Sequence, residues 1–504
     1  MKTIRTQGDP VLAQVCAPVS PAEIGAFVAL GKTGGSELTG EVEALHAALA
    51  DFRADRGFGR AIAAPQLGIA KRIVCMHLGA RPIVLINPEI TWRSDETFDV
   101  WDDCLSVPDV IVRVRRHRSI SLTAYDGRGR RRRWTELPES LSELLQHEID
   151  HLDGVLMTER AVGDDAVRPI SEHAALVPRP QHRLRLDAIE RAAETIDPVF
   201  RGSPQFVDGA LSEALGCTLT VKLETANPIR SFKGRGADFF MAGLLEAGDR
   251  PSLVCASAGN FGQALAYAAG KHGLELTVFA STNANPQKVE RMRRLGARVE
   301  LAGDDFDAAK EFARNRAAET GARMVEDGRE AAISEGAGSI AVELLADDAV
   351  FDDILVPLGN GALLAGVARW FKAASPMTRV FGVCSSVADG MQKSLLSGEI
   401  VHSPSVATIA DGIGVRIPVP EAVADLRGLV DDVSSVDDAA IVDAMRLLFE
   451  MGGLVAEPAA AVGVAALMTD GRFAGRRVAT IVCGSHVAPD SLRRWLVDPE
   501  TAPR

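Results

Sequence analysis

The chain has 504 residues, 47% of them hydrophobic and 24% charged, with a formal net charge of −13. A single hydrophobic core stops growing near about 250–300 residues, so two or more cores are expected. The acidic balance excludes a general attraction to nucleic acid or to anionic membrane surfaces. Seven cysteines with no CxxC pair point to a reducing compartment and no disulfide framework. The start Met1-Lys2-Thr3-Ile4-Arg5 lacks the apolar core of a signal peptide. No uninterrupted apolar run reaches the roughly 18 residues of a membrane span. A cytoplasmic protein with neither nucleic-acid nor membrane partners is the expectation.

Residues 1–160 read as an α+β unit. Val42, Leu45, Leu49 and Phe52 have helical spacing. Short β-rich runs follow at Ile73–Met76, Ile83–Ile86, Val110–Val114 and Ser119–Ala124. Five of the six residues Arg128–Arg133 are arginine; beside Tyr125-Asp126-Gly127 they read as the solvated face of a hairpin. A second helix, Leu141–Leu152, starts after Pro138-Glu139-Ser140.

That second helix carries His147-Glu148-Ile149-Asp150-His151. Histidines four apart share a helical face, so both imidazoles can reach one cation. Glu148 falls where it can take a proton from water on that cation and return it. Cys104, in Trp101-Asp102-Asp103-Cys104-Leu105-Ser106-Val107-Pro108, is a candidate third ligand. Gln66, in Gly59-Arg60-Ala61-Ile62-Ala63-Ala64-Pro65-Gln66, is a candidate amide donor. Alone, the two could equally be a buried structural cysteine and a turn glutamine.

Together, in this order and spacing, the three segments resemble the three motifs of peptide deformylases. Gly8-Asp9-Pro10-Val11-Leu12 and Ile86-Asn87-Pro88-Glu89 match that family's usual start and middle. The resemblance implies that Cys104, His147 and His151 bind a metal, Fe(II) or Zn(II), and that Glu148 is the general acid/base. It further implies that Gln66 and the Leu105 N–H polarise the formyl oxygen. An ordinary zinc peptidase with Glu172 as a carboxylate ligand is the rival, and it leaves Gln66 and Cys104 without a role. Ala61 stands where deformylases usually have a glycine, and Asp102-Asp103 where they have Glu-Gly. Both departures change what can approach the metal.

From 161 to 183 periodicity fades and Pro169, Pro178 and Pro180 appear, which reads as a linker or wrapping arm. Residues 184–504 alternate strand-like and helical runs, with strands at Leu253–Ala256, Leu276–Ala280, Ile354–Pro357, Val380–Val383 and Val478–Val482. That alternation is the pattern of a parallel α/β domain with ligands at the strand ends. Ser231-Phe232-Lys233-Gly234-Arg235-Gly236-Ala237 follows another apolar run and opens a helix, so Lys233 falls at the mouth of a helix dipole, where its charge is disfavoured.

With Lys222–Arg230 before it, this stretch resembles the lysine motif of the threonine/serine dehydratases, pyridoxal-phosphate enzymes of fold type II with two open twisted sheets flanked by helices. The resemblance makes Lys233 the cofactor-binding and catalytic lysine, with Phe232 packed on the cofactor ring. Ser257, Ala258 and Gly259 would hold the substrate carboxylate, and Asn260 the cofactor's phenolic oxygen. Gly359, Asn360, Gly361, Ala362 and Leu363 match the phosphate loop, with Asn360 and Ala362 departing from the family's glycines; backbone donors suffice there. Cys483 falls beside the pyridine nitrogen, where a neutral partner favours elimination. Glu335-Gly336-Ala337-Gly338-Ser339, Asp411-Gly412-Ile413 and Glu457-Pro458-Ala459-Ala460 match further runs.

The sequence therefore predicts two domains joined by a linker, a deformylase-like metallohydrolase and a pyridoxal 5'-phosphate lyase acting on a small amino acid. The family resemblance implies a homodimer.

Overall fold

The computed structural model describes residues 3–30, 35–177, 182–346 and 349–497. The chain divides into two compact units, Met1–Gln181 and His182–Arg504. Among the described residues no helix is long and apolar enough to cross a membrane.

In the first unit, Ser36 caps the helix Glu37–Arg56 by accepting the Thr39 N–H at 3.1 Å, and Gly57 ends it at φ +76°. Its buried face, Leu38, Val42, Leu45 and Leu49, joins the core that also contains Ile62, Ile73, Cys75 and Ile86. Five antiparallel strands form one sheet, in the order Ala61–Ala63, Ile73–His77, Pro82–Arg93, Ile120–Tyr125, Arg131–Trp134. The arginine run forms the turn and second strand of a hairpin, with Arg130 and Arg132 held by Asp126. A second sheet orders Thr97–Asp103, Val110–His117 and Val167–Pro169. The helix Glu139–Leu152 packs against strands of both sheets.

Much of the stretch 161–183, expected as a linker, is structured. Val167–Pro169 pairs with Val110–Val112, and a short helix, His173–Leu176, follows. An edge strand followed by a single helical turn has no room for a repeating apolar period, which is why the sequence pattern is silent there. Residues 178–181, with Pro178 and Pro180, lie outside the described residues.

The second unit has a six-stranded sheet ordered Asp432–Val436, Arg379–Ser385, Asp353–Pro357, Arg477–Val482, Thr218–Leu223, Gln205–Val207. All its pairings are parallel except that of the last strand, Gln205–Val207. A four-stranded parallel sheet orders Arg298–Leu301, Leu276–Ala280, Leu253–Ala256, Arg323–Met324. Central to the helices is Ala331–Leu344, which packs on both Lys233–Glu246 and Ala362–Ala374. Glycines set that packing distance: a Cβ on Gly236 would lie 2.4 Å from the Ile333 carbonyl, and one on Gly366 1.9 Å from that of Ser334. The helix bearing Lys233 and the helix that follows Gly361 are thus fixed through one shared partner.

Behind Lys233 the sheet ends in a buried charge cluster. Arg235, fully buried, donates from Nε to Glu224 at 2.8 Å and from Nη1 to Glu343 at 2.7 Å. Lys222 Nζ reaches the other Glu343 oxygen at 2.6 Å. Every charge there has an opposite partner, which is the condition for tolerating burial.

Candidate active sites

The first site lies where the helix Glu139–Leu152 faces the end of the strand Thr97–Asp103. One ligand atom each from Cys104, His147 and His151 lies within 4.8 Å of the others, and all three residues are buried. Cys104 Sγ is 3.2 Å from His151 Nε2. His147 Nδ1 meets Asp102 Oδ2 at 3.2 Å, which orients the ring and leaves Nε2 for a metal. Asp102 is itself held by Arg116 at 2.8 Å, and Arg116 reaches Asp150 at 2.5 Å. Burial opposes ionisation of Asp102, but His147 and Arg116 outweigh it and draw its pKa down to about 2. A soft thiolate and two imidazoles, with one ring oriented by a carboxylate, fit Zn(II) or Fe(II). Glu172, the ligand of the rival reading, is not part of this group.

Gln66 approaches from the other side. Its Oε1 accepts the Ala63 N–H at 2.8 Å, which turns Nε2 toward Ser106 Oγ at 3.2 Å and Cys104 Sγ at 3.7 Å. Glu148 is buried and its Oε2 has no hydrogen-bond partner among the described residues. Burial pushes its carboxyl up to about 7, against the opposing pull of His147. Leu105 lines the same cleft.

The two departures from the deformylase motifs both lie at this cleft. Ala61 and Asp103 line it, and Asp103 Oδ2 bonds His173 Nε2 at 2.7 Å. His173 in turn stacks on Phe58, ring centroids 5.3 Å apart. Arg60 and Glu143 form an ion pair on the same wall at 2.6 Å. The free volume is about 10 Å³, room for roughly one water.

The second site is a cavity of about 340 Å³ lined by every residue expected there: Phe232, Lys233, Ser257, Ala258, Gly259, Asn260, Gly359, Asn360, Gly361, Ala362, Leu363 and Cys483. Lys233 is the first residue of the helix Lys233–Glu246. Its Nζ lies 4.9 Å from the Phe232 ring and 5.7 Å from that of Phe261, and Asp327 Oδ2 meets it at 2.5 Å. The loop before Lys233 is tied to the far end of the chain by the Phe232 N–H, which donates to the Cys483 carbonyl at 3.0 Å.

Gly361, at φ +93°, caps the helix Ala362–Ala374 in a left-handed conformation that only glycine adopts freely. The first N–H groups of that helix have no intrahelical acceptor and face the cavity, a seat for phosphate. Ser257 Oγ accepts the Gly259 and Gly262 N–H groups at 3.2 and 2.9 Å, shaping the turn that enters Asn260–His272. Asn260 Nδ2 donates to Glu457 at 2.9 Å, and its Oδ1 is 3.2 Å from His486 Nδ1. Burial and nearby cations draw His486 down to about 4, so its ring is neutral. Cys483 is buried, and burial holds its thiol protonated. The lysine, the helix-mouth amides, the Asn260 amide and a neutral thiol match a pyridoxal phosphate in size and polarity.

Sequence reading missed two acids here. Glu457 lies in a run already recognised, but nothing in the run shows that its carboxylate meets Asn260. Asp327 is 94 residues from Lys233 in sequence, within a Glu326-Asp327-Gly328 stretch that reads as an ordinary turn. In the first site, the Asp102–Arg116 support was equally hidden.

Comparison with known proteins covers both units. Residues 199–484 match the family described as pyridoxal-phosphate dependent enzyme, and residues 1–166 match polypeptide deformylase. An L-threonine ammonia-lyase of Thermotoga maritima is 32% identical over 311 residues, 62% of this chain and 78% of that protein. One from Geobacter sulfurreducens is 37% identical over 257 residues, 51% of this chain and 64% of that protein. The structure of maize serine racemase superposes with a TM-score of 0.58 at 29% identity, covering 61% of this chain and 95% of that one.

Proposed function

The chain belongs to the family of pyridoxal-phosphate dependent enzymes, and we propose that it is bifunctional, a metal-dependent deformylase or amidohydrolase joined to a lyase that performs α,β-elimination on a small amino acid. The observation that carries the lyase reading is the convergence of Lys233, Asn260, Cys483 and the Gly359–Leu363 loop on one cavity.

When bound, the cofactor supplies an electron sink for charge developing at the substrate Cα. The N–H groups of Gly359–Leu363 hold its phosphate, Phe232 packs on its ring and Asn260 bonds its phenolic oxygen. Cys483, a thiol that keeps its proton, would leave the ring nitrogen unprotonated, which favours elimination. The turn Ser257-Ala258-Gly259 receives the substrate carboxylate. Lys233 Nζ removes the Cα proton, a β-hydroxyl or β-amine leaves, and the product hydrolyses to a 2-oxo acid and ammonia.

In the first site Cys104, His147 and His151 hold the metal, which when bound supplies a Lewis acid. Glu148 takes a proton from the attacking water and returns it to the departing amine. Gln66 Nε2 and the Leu105 N–H donate to the oxyanion. A formylated amine cannot be captured at the second site, so an N-formyl-amino acid must be hydrolysed first and eliminated second. The confined cleft, with Asp103 tied to His173, favours one further reading, in which the first unit only recruits substrate or regulates. Family likeness alone supports a homodimer.

The test is a screen for 2-oxo acid and ammonia with the metal-replete enzyme, free amino acids beside their N-formyl derivatives. Turnover of a formylated acid that needs both Lys233 and Glu148 supports the two-step reading. Turnover of the free acid alone, unchanged in Glu148→Ala, leaves the lyase with a recruiting or regulatory partner unit.

A further inference from the structure

The mouth of the cavity around Lys233 is walled by two segments far apart in sequence. One is Asp305-Phe306-Asp307, where Asp305 caps the helix Phe306–Thr320 by accepting the Ala308 N–H at 2.8 Å. The other is the loop 403–417. It is closed on itself by the Ser403 N–H, which donates to the Arg416 carbonyl at 2.8 Å, and by Ser403 Oγ, which donates to that of Val415 at 2.9 Å. Arg416 fastens the two segments, with Nη1 3.3 Å from Asp305 and Nε 3.6 Å from Asp307, so Phe306 and Ile417 stand beside one clasp. Both line the cavity with Val406 and Val415, yet Phe306 is 45% and Ile417 43% exposed.

Charge at this end is met within the wall. Lys288 holds Asp411 at 2.6 Å, Lys310 holds Glu326, and Lys233 holds Asp327. With Arg416 paired as above, each cation lining the cavity already has its acid. A charged substrate side chain would have to displace one of these partners. What remains without a complement is apolar surface. Half-exposed Phe306 and Ile417, in one concave wall, lose their contact with water only when something apolar covers them.

We infer that Phe306, Val406, Val415 and Ile417 seat an apolar group on the substrate's Cβ; the inference rests on the lyase reading. The lyase then takes a β-hydroxy amino acid whose Cβ carries a branched or aromatic group, in place of the hydrogen of serine or the methyl of threonine. Position follows from the other ends of the cavity. The Ser257–Gly259 turn takes the carboxylate, Lys233 addresses the Cα proton and the Gly359–Leu363 loop takes the cofactor phosphate, which leaves the mouth for the Cβ substituent. The reaction balances as a dehydration followed by a hydrolysis. The Cα proton goes to Lys233, the Cβ–O bond breaks with its electron pair on oxygen, and the hydroxyl takes up a proton and leaves as water. One water then hydrolyses the product to a 2-oxo acid and NH3. The apolar group is unchanged throughout and supplies binding alone.

The experiment uses the full-length holoenzyme with 3-phenylserine, 3-hydroxyleucine, serine and threonine, measuring 2-oxo acid. The expected kcat/KM for 3-phenylserine or 3-hydroxyleucine exceeds that for serine and for threonine by at least about tenfold. Phe306→Ala and Ile417→Ala each lower that ratio by about fivefold or more, chiefly through KM, whereas Phe306→Leu keeps most of it. A second readout needs no turnover. Phenylalanine and alanine have no β-leaving group, and the change each makes in the visible cofactor absorbance gives a Kd. Phenylalanine is expected to bind at least about tenfold tighter than alanine, and Phe306→Ala to erase most of that difference. A wild-type preference for serine or threonine overturns the inference while the lyase reading stands. So do phenylalanine binding no tighter than alanine and variants that lose all four substrates equally. A fully loaded wild-type enzyme that eliminates from none of the four overturns both.

Discussion

The two candidate sites differ most in how much room they leave. The cleft over Cys104, His147 and His151 has about 10 Å³ free, whereas the cavity around Lys233 has about 340 Å³. The first is built by contraction: short strands and one helix bring three ligand atoms within 4.8 Å, and buried Asp102 fixes the direction of His147. The second is built by separation. Loops at the ends of parallel strands stand back from one another and enclose a space for a cofactor and a substrate. A metal site needs its ligands nearly touching; a cofactor site needs its donors spread around a ring and a phosphate.

Crossed variants break this comparison most sharply. Lys233→Ala is expected to reduce 2-oxo acid formation by about 10³-fold or more and to remove the visible cofactor absorbance, leaving formamide hydrolysis intact. Glu148→Gln is expected to reduce hydrolysis by about 10²–10⁴-fold at unchanged metal content, leaving elimination from the free amino acid intact. If either variant silences both activities, the sites do not act separately.

Arg235→Leu tests whether the open cavity depends on the charge cluster behind it. Glu224 and Glu343 would be left buried without their shared guanidinium, and a loss of about 3–5 kcal/mol is expected in denaturant unfolding. Asp102→Asn probes the tight site more gently. The ligands remain, but the carboxylate orienting His147 becomes a weaker acceptor, and metal affinity should fall by about 10–100-fold in a chelator competition. An unchanged affinity would mean that packing alone orients His147.

The parts of both sites that sequence revealed are local ones. His147 and His151 are legible because a helix puts residues four apart on one face, and Lys233 because a helix begins at it. Gly361 announces its turn through the small residues around it. Long-range partners are silent in the same text. Asp102 meets His147 only after the strand Thr97–Asp103 docks beside the helix, and Asp327 meets Lys233 only after two strands of different sheets are in place. The stretch 161–177 shows the same limit in the fold itself, since an edge strand is defined by its partner, Val110–His117, and not by its own pattern.

The link between the Phe232 N–H and the Cys483 carbonyl, with the bridge from Ser231 to Gly484 beside it, bears on the order of synthesis. The strand Thr218–Leu223, which leads to Lys233, lies between Gln205–Val207 and Arg477–Val482 in the sheet. Its more extensively paired side stays bare until Arg477–Val482 has been made. Lys233 is made well before the strand Arg477–Val482 and Cys483, the surface that holds its loop. The loop that carries Lys233 is therefore held only once Arg477–Val482 and Cys483 have been made, whereas Cys104, His147 and His151 belong to a unit that precedes it in the chain.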